Sequence, residues 1–139
     1  MTQESKEAKA KRVIAKMKKD RGYLYPEQEL LANLDPDFAE AYAELSGRLF
    51  LSESEPHDTA LDLKTRELIP IVILAYRGLP DMVYVHMKRA MRCGATKQEL
   101  LEALEMTVSP GGAVCLNMGL TALLRIEEEE QAQAGKGKA

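Results

Sequence analysis

The chain has 139 residues, 45% of them hydrophobic, 29% charged and 5% aromatic with no Trp, and a formal net charge of −3. This length suits one domain, and a slightly acidic chain with no basic segment interleaved with aromatics argues against nucleic acid as a partner. No apolar run approaches the roughly 20 residues that span a bilayer, Met1 is followed by polar residues rather than an apolar signal core, and Cys93 and Cys115 are too few for a disulfide scaffold or a zinc pattern.

A cytoplasmic protein with no membrane partner, metal or cofactor is therefore expected. Leu, Ala, Glu, Lys and Met dominate, side chains that lose little rotamer freedom in a helix. The expected class is all-α, a single-domain bundle of about six to seven helices. Glu4 to Asp20 alternates charged residues with Ala, Val13, Ile14 and Met17 at helical spacing, and the Gly22 region ends it. Its mixed-sign lysine-rich surface reads as solvated. Pro26 opens a short helix through Leu34, and Asp35-Pro36 reads as an N-cap followed by proline at the first helical position. The next helix runs to about Leu51, and its recurring Phe38, Ala41, Tyr42, Leu45, Leu49 and Phe50 predict one buried face. Ser52 to Ala60 is a polar loop closing an N-terminal helical arm, residues 1–60.

Asp62 caps a helix from Leu63 to about Arg77 that is apolar nearly all round, with Pro70 inside it predicting a kink. Gly78 to Asp81 reads as a turn and cap, Met82 to Arg92 as a helix closed by Gly94, and Thr96-Lys97-Gln98-Glu99 as a capping box opening a helix through Val108. Pro110-Gly111-Gly112 breaks the chain, and Ala113 begins the last helix. Residues 61–126 thus form a core, and 127–139, acidic and then Gln/Ala/Gly/Lys, are expected to be a frayed tail.

Few residues are equipped for chemistry. His57 lies in the polar loop and reads as an exposed histidine without a role. His86 lies on a helix of mixed character, where burial can tune an imidazole for proton transfer or simply accommodate it in the core. Cys115, near a helix N-terminus, and Cys93, beside Gly94, read as small core residues rather than reactive thiols.

Several stretches, in order, resemble the carboxymuconolactone decarboxylase-like family: Leu61-Asp62-Leu63-Lys64-Thr65-Arg66-Glu67-Leu68-Ile69, then His86 with Arg89-Ala90, then Cys93-Gly94-Ala95-Thr96 through Leu104, then Gly111-Gly112 and Asn117. The resemblance implies an AhpD-like helical fold, a homo-oligomer that is a homotrimer or homohexamer, and a site made from the glutamate and the histidine. It also implies a difference. The thiol peroxidase branch of that family carries a Cys-x-x-Cys pair before its histidine, and those positions fall here on Leu79 and Met82, which form no thiolate. The decarboxylase branch also lacks that pair and acts on anionic lactones. By resemblance, His86 and Glu67 are the catalytic candidates, and Arg66, Arg77 and Arg89 the candidates to hold the carboxylate of a small acid or lactone substrate. The expected function is a decarboxylase-type carboxy-lyase. The alternatives are an AhpD-type thiol-dependent antioxidant protein and a non-catalytic oligomeric binding protein.

Overall fold

The computed structural model describes residues 4–53 and 56–136. Among these the protein is all-helical, with eight helices and no strand, and none of the helices is long and apolar enough to cross a membrane. The chain divides into two compact units, Met1–Ala60 and Leu61–Ala139.

The first unit holds α1 (Lys6–Arg21), α2 (Pro26–Leu34) and α3 (Pro36–Phe50). Short polar side chains set its boundaries. The Ser5 hydroxyl accepts the Ala8 N–H, Asp35 accepts the Phe38 N–H, and Gly22, at φ 67°, closes α1 with its N–H donated to the Lys18 carbonyl. Its core is Val13, Met17, Ala32, Ala39 and Ala43, with Ile14, Leu24 and Leu31 packed against it.

The face of α3 that is buried differs from the expected one. Pro36, Ala39, Ala43 and Ser46 point inward, whereas Phe38 is 59% exposed, Leu45 56%, Leu49 54% and Tyr42 38%. The physical reason is the size of the inward residues: small side chains let α1, α2 and α3 approach closely, and a helix with a small-residue face and a large-residue face cannot pack both into three helices. Outside this apolar core, Lys9 bridges to Asp37 (2.5 Å) and Glu40 (2.7 Å), and Arg12 to Glu40 (2.7 Å) and Glu4 (2.8 Å), so paired charges tie α1 to α3.

The second unit holds α4 (Leu63–Tyr76), α5 (Pro80–Arg92), α6 (Lys97–Glu105), the single turn α7 (Val108–Gly111) and α8 (Ala113–Lys136). Helices α4 and α5 form a hairpin, α8 packs along both, and α6 packs on α4 and α8. Ile71, Ala75, Val83, Met87, Ala90, Leu100, Leu104, Ala122 and Ile126 form one continuous core. Asp62 accepts the Thr65 N–H (2.7 Å) to start α4, and Thr96 and Glu99 form the expected capping box. α5 starts at Pro80, two residues before the expected Met82, because proline needs no N–H partner in a first turn. Pro70 sits inside α4 without ending it.

The expected frayed tail from residue 127 is also corrected: α8 continues to Lys136, and residues 137–139 lie outside the described set. Composition alone missed the partners of the acidic run. Lys97 reaches Glu127 (2.5 Å) and Glu130 (2.6 Å), while Glu129 accepts from the Tyr84 hydroxyl (2.7 Å) and Lys88 (3.1 Å).

Candidate active site

The turn at Arg77–Leu79, with Gly78 at φ 71°, folds α5 back along α4. Glu67 lies in the first half of α4, and His86 and Arg89, three residues apart on α5, share one helix face. The antiparallel hairpin brings the three together. Glu67 is wholly buried, and Arg89 and His86 are nearly so at 5% and 7% exposure. His86 Nδ1 is 2.7 Å from Glu67 Oε2, and the Arg89 guanidinium donates through Nη1 to Glu67 Oε1.

This arrangement has consequences that follow from donor and acceptor inventory. A buried carboxylate without partners is strongly disfavoured, and Arg89 supplies the opposite charge. A carboxylate can only accept, so the hydrogen between Glu67 and His86 belongs to Nδ1. In the neutral ring the other nitrogen, Nε2, then carries the lone pair that can take a proton and afterwards return it. Glu67 thus acts on the imidazole by orientation and tautomer, in the way a hydrogen-bonding partner fixes the ring of a metal-binding or triad histidine.

The remaining candidates are placed differently. Arg66 precedes Glu67 on the helix and is half-buried, with Nε donating to the Leu61 carbonyl (3.1 Å). Arg77 is exposed at the C-cap of α4, at the far end of that helix from Glu67. Arg77 thus lies away from the buried cluster. Arg89, the third candidate for a substrate carboxylate, holds the protein's own Glu67 through Nη1. Its spacing of three from His86 was the available signal, since that places both on one face. His57 is half-buried rather than exposed, and its Nε2 donates to the Ser52 carbonyl (2.7 Å). Cys115 is buried with its thiol donating to the Gly111 carbonyl (3.2 Å), and Cys93 is half-buried at the C-cap of α5. No group of three or more potential metal ligands occurs among the described residues.

The comparisons agree with this architecture. A search of curated proteins returns no match. A crystal structure of a provisionally named carboxymuconolactone decarboxylase from Burkholderia xenovorans LB400 superposes with a TM-score of 0.73, at 24% identity, over 93% of this chain and 98% of that one. This likeness establishes the fold. The family model for the carboxymuconolactone decarboxylase family matches residues 36–124, starting well before the expected core at residue 61 and so taking in α3 as well as the Glu67, His86 and Arg89 cluster. On that match the chain belongs to the carboxymuconolactone decarboxylase family.

Proposed function

We propose that the protein is an enzyme of the decarboxylase type, acting on a small carboxylate or lactone by proton transfer through His86. The observation that carries this reading is the buried hydrogen bond from His86 Nδ1 to Glu67 Oε2, which fixes the neutral ring as the Nδ1–H tautomer and so makes Nε2 its basic nitrogen. Loss of carbon dioxide from an anionic lactone leaves an electron pair delocalised into the lactone carbonyl as a dienolate, and that carbanion must then gain a proton. Protonated at Nε2, the His86 imidazolium would donate it and return to the Nδ1–H tautomer that Glu67 holds. Glu67 and Arg89 are positioning residues here. Arg66, Arg77 and the guanidinium donors of Arg89 that Glu67 does not use remain the candidates to hold the substrate carboxylate on this chain, with a neighbouring subunit of the homotrimer or homohexamer that the family resemblance implies as a further source.

The test is a screen of lactone and muconate-type acids against the purified protein, followed by His86→Gln on whichever substrate turns over. A positioned general acid or base contributes about 10²–10⁴-fold, and a loss of that order with the helical spectrum intact is the expected result. Undiminished turnover in His86→Gln would remove His86 from the reaction.

A further inference from the structure

The large apolar residues that α3 turns outward are spaced four, three and four apart: Phe38, Tyr42, Leu45 and Leu49. This is the spacing of a coiled-coil seam, which lies straight along one side of a helix and matches another helix of the same kind. Isolated exposed apolar residues are ordinary, but a row of four large ones on one helix is not. The opposite face of the same helix is already packed, with Ala39 and Ala43 in the core of the first unit.

We propose that α3 pairs with α3 of a second copy of this chain, antiparallel about a twofold axis passing between Tyr42 and Leu45. In this register Phe38 meets Leu49 of the second copy and Tyr42 meets its Leu45, so every seam residue finds an apolar partner, as an isologous contact requires. Charge selects the antiparallel sense. The N-terminal end of α3 carries the exposed Asp35, which caps the helix, and Asp37, which also bridges to Lys9, while the C-terminal end carries the exposed Arg48, one turn after the exposed Glu44. Antiparallel pairing sets Arg48 of each copy toward the acidic end of the other and opposes the helix dipoles, while parallel pairing would bring like ends together. Area gives the same answer. At their observed exposures the four side chains present roughly 400 Å² per copy, or about 800 Å² in the pair. With flanking Ala41, Glu44, Arg48 and the 64% exposed Leu34, the contact approaches the ~1,200 Å² at which specific interfaces begin. This inference is independent of the chemistry proposed for His86.

The experiment is sedimentation of the full chain at micromolar concentration, beside Leu45→Glu and, as a second seam variant, Leu49→Lys. Both positions are exposed, so the helical circular dichroism should be preserved. The wild type should sediment as a dimer or a multiple of dimers, and each seam variant should fall to half that mass or less. Orientation is read by disulfide formation: a mixture of Phe38→Cys and Leu49→Cys proteins should cross-link to each other, and neither should cross-link strongly to itself. A monomeric or trimeric wild type overturns the proposal, since three copies cannot all pair about twofold axes, and leaves the seam to a different protein. So does an assembly that both seam variants leave intact but Ile73→Glu, on the exposed side of α4, disrupts. Self-cross-linking of the Phe38→Cys protein alone would overturn the antiparallel arrangement.

Discussion

Glu67 is the residue on which the others in the site depend, because both of its oxygens are used and none of it reaches solvent. Removing Arg89 leaves a buried carboxylate without its counter-charge, and breaking such a pair costs about 3–5 kcal/mol. Arg89→Met should therefore lower the urea midpoint sharply. Adding Glu67→Gln to it should restore part of the loss, because a neutral amide no longer needs the cation; a double variant as unstable as the single would mean that Arg89 acts by packing alone. The tautomer can be read separately. The ¹⁵N shifts of the His86 ring should show the neutral form with its hydrogen on Nδ1, and Glu67→Leu should abolish that preference. In turnover, Glu67→Gln should cost less than His86→Gln. The double variant should lose less than the product of the two rate losses, because groups that act as a unit are not additive.

At the scale of helices, the same chain shows two kinds of support. Between α1 and α3 an ionic tie lies outside the apolar core: Glu40 accepts from Lys9 and Arg12, and these hydrogen bonds hold its carboxyl well below the ordinary 4.5, at about 2. A carboxyl whose value is lower in the folded chain adds stability above its unfolded value and loses it as pH falls through the folded one. The α1–α3 tie should thus weaken between about pH 4.5 and 2. Hydrogen exchange of α1 amides should speed up over that interval, and the effect should be modest and salt-sensitive because these pairs are solvated. In the second unit α6 and α8 are held by close approach. Gly119 is buried in α8 against Leu104 of α6, and a methyl group there would fall within the Leu104 side chain. Gly119→Ala should cost about 1–3 kcal/mol by overpacking, measurable by urea unfolding. α8 also carries the glutamates that pair with α5 and α6. Burial first, and then the hydrogen bond to Glu129, pushes the Tyr84 hydroxyl above its ordinary value, and Arg125 stacks 3.8 Å over that ring.

For the molecule as a whole, family membership leaves a choice of chemistry that two sequence positions bear on. By the resemblance, Leu79 and Met82 fall where the thiol branch has cysteines, and the two cysteines the chain does have are Cys115, hydrogen-bonded to a backbone carbonyl in the core, and Cys93, at a helix end. Thiol exchange needs an accessible thiolate. Hydroperoxide consumption with a dithiol reductant should therefore be at background in a coupled assay. Robust consumption lost in a Cys93→Ser, Cys115→Ser double variant would restore the antioxidant reading, and consumption retained in that variant would point to a different reactive group.

Local rules in the sequence determined the helices. Asp35-Pro36, Asp62, the Thr96–Glu99 box and Gly94 are boundary signals that act within one turn, so they are readable without the fold. The resemblance across Leu61–Ile126 likewise singled out Glu67 and His86, because motif positions are a property of the chain order. What surrounds a side chain could not be read in this way. Periodicity shows that α3 has an apolar face, but only packing decides which of two faces goes inward, and Ala39 and Ala43 won because close helix approach needs small residues. The acidic run after Ile126 looked unstructured until Lys97, Lys88 and Tyr84, distant in sequence, supplied its partners. That Arg89 partners Glu67 was hidden for the same reason: a charge's partner is whatever lies within hydrogen-bond reach, and that distance exists only once α4 and α5 have folded against each other.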